Sequence, residues 1–139
     1  MRHINGLDHI GIRVSDFPRS IQFYKAFGFE LLRSDIQEGV TVLVHHTGLA
    51  LNLLNSARKS KTPHNILMDR HTKYAGYTHI ALKVDAIAQI IAYIDELGLE
   101  ITEGPVVFGD GKTSIFIRDP DKNVIEFTQQ QSTNYSGEK

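Results

Sequence analysis

The chain has 139 residues, 41% hydrophobic and 22% charged, which supplies enough apolar material for one packed domain and excludes wholesale disorder. Fifteen Lys and Arg against sixteen Asp and Glu give a net charge of −1, which argues against a chain built to grip nucleic acid or an anionic membrane and favours a small-molecule partner. Cysteine is absent, so disulfide and thiolate chemistry are excluded and any metal must be held by nitrogen and oxygen.

The opening "MRHINGLDHI" has no apolar stretch of signal-peptide length, and no 18-residue apolar run follows, so a cytoplasmic protein is expected. The first strand expected is "HIGIRV" (9–14). A helix should follow it, with Ser15 or Asp16 as N-cap, Pro18 in the first turn, Ile21, Tyr24 and Phe27 on the apolar face, and Gly28 as a left-handed stop. Strand-like runs "ELLRSDI", "VTVLVHH" and "LALNLL" come next, separated by the turn signals "QEG" and "TG". The stretch 55–76 is polar, basic and long for a loop inside a compact domain, and reads as a linker.

The pattern then begins again. "HIALKV" (79–84) reads as a strand, Asp85 as a helix cap, Ile87, Ile90, Ile91 and Ile94 as an i, i+3, i+4, i+7 stripe, and Gly98 as the stop. "EITEG", "TSIFIR" and "NVIEFTQ" read as three further strands, with "FGDG" and "DPDKN" as turns, and residues 131–139 as a frayed polar tail. At an offset of 70, "HIGIRVSD" (9–16) overlies "HIALKVDA" (79–86) and "FGFE" (27–30) overlies "LGLE" (97–100), so one register matches both ends of the window. The expected fold is α+β: two βαβββ modules, about 6–54 and 77–130, in a single domain spanning 1–139. A module of about 55 residues buries too little apolar surface to stand alone, so the modules should pair, within the chain or across a dimer.

Strand side chains alternate between faces. Ile10, Ile12 and Val14 therefore share one face, and His9, Gly11 and Arg13 the other; in the second copy Ile80, Leu82 and Val84 oppose His79, Ala81 and Lys83. The aliphatic face should meet the helices. The opposite face has a histidine, a small residue and a cation, twice, which suits a hollow better than a second core. In "VIEFT", alternation sets Glu126 against Ile125 and Phe127 and so places it on the hollow's face; its counterpart at an offset of 74 is Asn52. Two imidazoles and one carboxylate, His9, His79 and Glu126, form the ligand set of a facial triad on a divalent first-row metal, with Asn52 able to offer a weak carbonyl ligand or a hydrogen bond.

A single histidine in a strand is more often a hydrogen-bonded structural residue than a ligand. Repetition in register, with a carboxylate on the same face, reverses that reading here. His3, His45, His46, His64 and His71 lack partners at ligand spacing and are read as solvated or structural, with His46 or His71 still open as a base near the metal. Arg13 and Lys83, on the site face, are the preferred contacts for an anionic substrate group. The linker cations Arg58, Lys59, Lys61, Arg70 and Lys73 are read as solvated.

The paired "DHIGIRVSD" and "THIALKVDA", the helix end "FYKAFGFELL" and the terminal "FIRDPDKNVIEF" resemble the vicinal oxygen chelate superfamily, which includes glyoxalase I, extradiol dioxygenases, and bleomycin- and fosfomycin-resistance proteins. The likeness covers about residues 6–130. It implies βαβββ modules curved into a mixed-sheet half-barrel with helices outside, one divalent metal (Ni, Zn, Fe, Mn or Co) and a homodimer. The metal positions carried over from the family fall on His9, His79 and Glu126, with the fourth on Asn52.

Glyoxalase I-like members have Glu at that fourth position, where it shares in proton transfer. Asn52 therefore removes one of the two bases such an isomerisation uses, and Glu126 remains as ligand and base. The expected function is a metal-dependent glyoxalase-like lyase or isomerase acting on a small substrate with adjacent oxygens. The alternatives are an Fe(II) extradiol-type dioxygenase or a metal-free bleomycin-resistance-type binding protein.

Overall fold

Alternation of aliphatic with small or polar residues makes "IGIR" the first strand, β1 (Ile10–Arg13), in a computed structural model that describes residues 2–130. The expected frayed tail, 131–139, lies outside the described residues. Asp16 caps helix α1 (Phe17–Lys25), its carboxylate accepting from the Arg19 amide at 3.0 Å, and Pro18 occupies the first turn, where a missing N–H costs nothing. The chain reverses at Gly28, whose φ of +93° favours glycine, into β2 (Phe29–Asp35), β3 (Val40–His45) and β4 (Ala50–Leu54). The helix face differs from the one expected. Ser20, Phe23 and Tyr24 are buried while Ile21 and Phe27 are half-buried, because Tyr24 packs edge-on between Phe23 and Phe29 and sets the helix rotation.

The second series is β5 (His79–Val84), α2 (Ile87–Glu96), β6 (Glu103–Val107), β7 (Thr113–Arg118) and β8 (Val124–Gln129). Two expectations are corrected here. Asp85 does not cap α2: Ala86 stands at the N-cap with no side-chain bond, and the Ile87 amide instead donates to Oε1 of Gln129 on β8 at 2.7 Å. The strand expected at "EITEG" (100–104) begins at Glu103. Its register against β7 shifts between Glu103 and Val106 around Gly104 and Pro105, which an edge strand accommodates because its outer N–H needs no partner.

The chain forms two compact units, one up to Pro63 and one from His64. Each is a βαβββ module with one four-stranded mixed sheet, in the order β1-β4-β3-β2 in the first and β5-β8-β7-β6 in the second. β1 runs parallel to β4 and β5 parallel to β8, the other pairs being antiparallel, so both modules have the same connectivity. Val14, Tyr24, Phe29, Leu43, Leu51 and Leu53 form the core of the first unit. In the second, α2 covers β7 and β8, burying Ile94 with Ile115, Ile117, Ile125 and Phe127.

Part of the expected linker is fastened to the second unit. Asp69 receives both terminal nitrogens of Arg118 at 2.9 and 3.0 Å, Asn65 donates to the Lys122 carbonyl at 3.0 Å, and the Asn65 side-chain oxygen accepts from the amides of Leu67 and Met68. Among the described residues no helix is long and apolar enough to cross a membrane.

Candidate functional site

Strand pairing fixes which side chains stand beside one another. In the second unit Glu126 is opposite Ala81 on β5 and Phe116 on β7, with His79, Lys83 and Ser114 one step along the same face. In the first unit Asn52 is opposite Gly11 on β1 and Val42 on β3. Asn52 and Glu126 are therefore equivalent positions of the two modules, with Gly11 and Ala81 equally matched, and the expected correspondence at offset 74 is the one the sheets adopt. The opposite face of each sheet bears the core residues, Leu51 and Leu53 in one and Ile125 and Phe127 in the other.

The second unit brings two of the expected ligands together. His79 Nε2 lies 3.0 Å from Glu126 Oε1, with side chains 34% and 13% exposed, so the carboxylate is largely withdrawn from water while the imidazole still opens onto it. Phe116 packs edge-on against the His79 ring at a centroid distance of 6.0 Å. The other carboxylate oxygen, Oε2, accepts a 2.6 Å hydrogen bond from Ser114 Oγ.

Each histidine is oriented by the residue before it. His79 Nδ1 is 2.9 Å from Thr78 Oγ1, and His9 Nδ1 is 2.7 Å from Asp8 Oδ2. The Asp8 carboxylate only accepts, so Nδ1 of His9 donates to it and Nε2 keeps its lone pair. Without a metal, Nε2–H of His79 donates to Glu126 Oε1, which only accepts; an ion bound at Nε2 would displace that proton, and the Thr78 hydroxyl could then accept from Nδ1–H. A carboxylate or hydroxyl behind the far ring nitrogen is the usual support of a metal-binding imidazole. Asp8, Thr78 and Ser114 were not among the residues expected at the site. The first two carried a signal, since they precede the repeated His at the same position in both modules; Ser114 carried none.

The donors suit a divalent metal. Two ligand atoms each about 2.1 Å from one ion, on adjacent octahedral positions, lie about 3.0 Å apart, so the hydrogen-bonded His79 Nε2 and Glu126 Oε1 would need no change of separation to hold one. Neutral imidazole nitrogen and carboxylate oxygen are the donors that Mn, Fe, Co, Ni and Zn accept. Among the described residues no group of three or more His, Cys, Asp or Glu forms a metal-holding cluster; His9 is a residue of the first unit, and His79 and Glu126 belong to the second.

Of the substrate-side candidates, Arg13 donates from Nε to Ser56 Oγ at 3.0 Å, and Lys83 is exposed on the Glu126 face beside Thr128. His45 stands apart from the site face. It alternates with Leu43 on the core side, bonds to Thr47 Oγ1 at 2.8 Å and lies against Phe29 and His46. Burial, followed by the His46 charge, pushes its pKa down.

Residues 6–127 match the model of the Glyoxalase/Bleomycin resistance protein/Dioxygenase superfamily. The chain belongs to that superfamily. It is 31% identical over 128 residues to a lactoylglutathione lyase of Haemophilus influenzae, covering 90% of this chain and 93% of that one. It is 30% identical over 129 residues to the metallothiol transferase FosB of Staphylococcus epidermidis, covering 88% and 80%. A crystal structure of a glyoxalase/dioxygenase from Nostoc punctiforme superposes with a TM-score of 0.74 at 20% identity, covering 94% of each chain, which shows the same fold.

Proposed function

We propose that the chain is a divalent-metal-dependent lyase or isomerase of glyoxalase type, acting on a small substrate that presents two adjacent oxygens. The observation that carries this reading is the His79–Glu126 pair, spaced at 3.0 Å like neighbouring ligands, with the imidazole oriented by Thr78. His9, supported by Asp8, is the third ligand. A bound divalent ion supplies Lewis-acid polarisation of the substrate's oxygens. The Glu126 carboxylate accepts a proton from the carbon beside them, and Asn52 binds substrate through its amide. Arg13 and Lys83 contact an anionic group at the rim.

The two units act as one domain in a homodimer. β1 and β5 are each the edge strand of their own module's sheet, which supports pairing with a further strand.

The test is elemental analysis of freshly purified protein together with its mass in solution, followed by titration with Mn, Fe, Co, Ni and Zn. The reading expects about one ion per chain, lost in Glu126→Ala and in His79→Ala. A dimer that takes up none of the five metals would overturn it and leave a metal-free binding protein.

The comparable identity to a metallothiol transferase supports a second reading, transfer of a thiol to a small electrophile at the same centre. It is distinguished by the product, a thioether formed by addition of the thiol to the electrophile, where the first reading expects the hemithioacetal of a thiol and a 2-oxoaldehyde to isomerise to a thioester. Oxygen uptake with catechols would instead favour the dioxygenase alternative.

A further inference from the structure

We propose that Ser114 is a positioning residue that fixes Glu126 as a one-oxygen metal ligand. The inference rests on the metal-centre reading above. Ser114 is completely buried on β7, and its hydroxyl donates to Glu126 Oε2 at 2.6 Å, while the other oxygen, Oε1, stands beside His79 Nε2 at 3.0 Å. A carboxylate with two unconstrained oxygens is able to rotate, or to bind an ion through both. With Oε2 engaged by a short charge-assisted bond, Oε1 alone is presented beside the imidazole.

A second observation comes from the repeat itself. Ser114 pairs across the sheet with Thr128, and the equivalent pair in the first unit is Val40 with Leu54. The modules thus place serine and threonine next to the position occupied by Glu126, and two aliphatic residues next to the same position occupied by Asn52. An amide that offers one oxygen needs no such anchor. Thr128 is itself buried with a hydroxyl that meets no partner among the described residues, so Ser114, opposite it, donates to the carboxylate rather than to its cross-strand neighbour.

The experiment uses the full chain, first stripped of metal. Ser114→Ala removes the hydroxyl; Ser114→Thr and Ser114→Val form a pair of almost equal shape that differ in it. Affinity for Mn²⁺ is measured by calorimetry at 25 °C, the visible spectrum of the Co²⁺-loaded protein reports coordination number, and the melting temperature of each metal-free variant is recorded separately. The expected result is weaker binding by about 10- to 100-fold in the Ala and Val variants. Their Co²⁺ spectra should change, and the Thr variant should restore both properties.

A merely structural serine would lower the melting temperature and leave affinity and spectrum unchanged. That outcome overturns the inference while the metal centre stands. Equal weakening in the Thr and Val variants also overturns it, because shape rather than the hydroxyl would then be responsible. Failure of the unsubstituted protein to bind Mn²⁺ or Co²⁺ overturns the metal-centre reading, and this inference with it.

Discussion

Replacing Glu126 by Ala in the metal-free protein isolates the energetics of its buried bond. Ser114 has no exposure to water, so the substitution leaves its hydroxyl without the acceptor it now has at 2.6 Å. An orphaned buried hydroxyl costs about 1–3 kcal/mol. The His79 contact contributes less, since the ring is 34% exposed and water can replace the carboxylate there. Ser114→Ala alone strips Oε2 of its donor and costs a comparable amount.

The double variant removes both partners, so its loss should fall short of the sum of the single losses by about 2 kcal/mol, the scale of a hydrogen bond to a charged group. For a chain of this length that coupling corresponds to about 6 °C in melting temperature. Urea unfolding at pH 7 in the presence of a chelator, followed by circular dichroism on the protein and its three variants, measures the cycle. Additivity within about 0.5 kcal/mol would refute the claim that Ser114 and Glu126 are energetically joined.

Asn52→Glu adds a carboxylate at the position equivalent to Glu126 and should tighten divalent-metal binding by more than about tenfold, as calorimetry would record; unchanged affinity would mean that Asn52 does not face the ion. The bond to Arg118 is the main cause that holds the Asp69 carboxyl below its ordinary value. The stability it contributes is therefore complete above the ordinary carboxylate range and is lost as pH falls through the lower folded value. Asp69→Asn should cost about 1 kcal/mol at pH 7, discounted for partial exposure, and the difference from the unsubstituted protein should shrink as pH falls below the ordinary carboxylate range in a urea series. His45, whose pKa burial pushes down, binds protons more readily unfolded than folded, so the fold should lose stability as pH drops below about 6.5. His45→Gln should flatten that slope in thermal unfolding across pH 5 to 7.

Local patterns foretold much of the fold because they depend on neighbours in the chain. The Asp16 cap, the positive φ angles at Gly28 and Gly98, the Ile94 stripe and the strand at His79–Val84 all follow from residues within one or two turns of each other. The misplaced features depend on sequence-distant partners. Gln129 stabilises the start of α2 across 42 positions, Phe23 is buried because Tyr24 packs against Phe29, and the start of β6 is decided by its pairing with β7.

By itself the sequence determined the repeat and the faces. A period of two places His79 and Glu126 on one side of their strands and Ile125 and Phe127 on the other, and the offset between copies pairs Glu126 with Asn52. Only the tertiary structure decided what those side chains meet. The 3.0 Å spacing of His79 and Glu126 and the buried bond from Ser114 arise where parallel β5 and antiparallel β7 flank β8. Alternation along a strand says which face a residue occupies, whereas its neighbour on that face is chosen by the register of another strand.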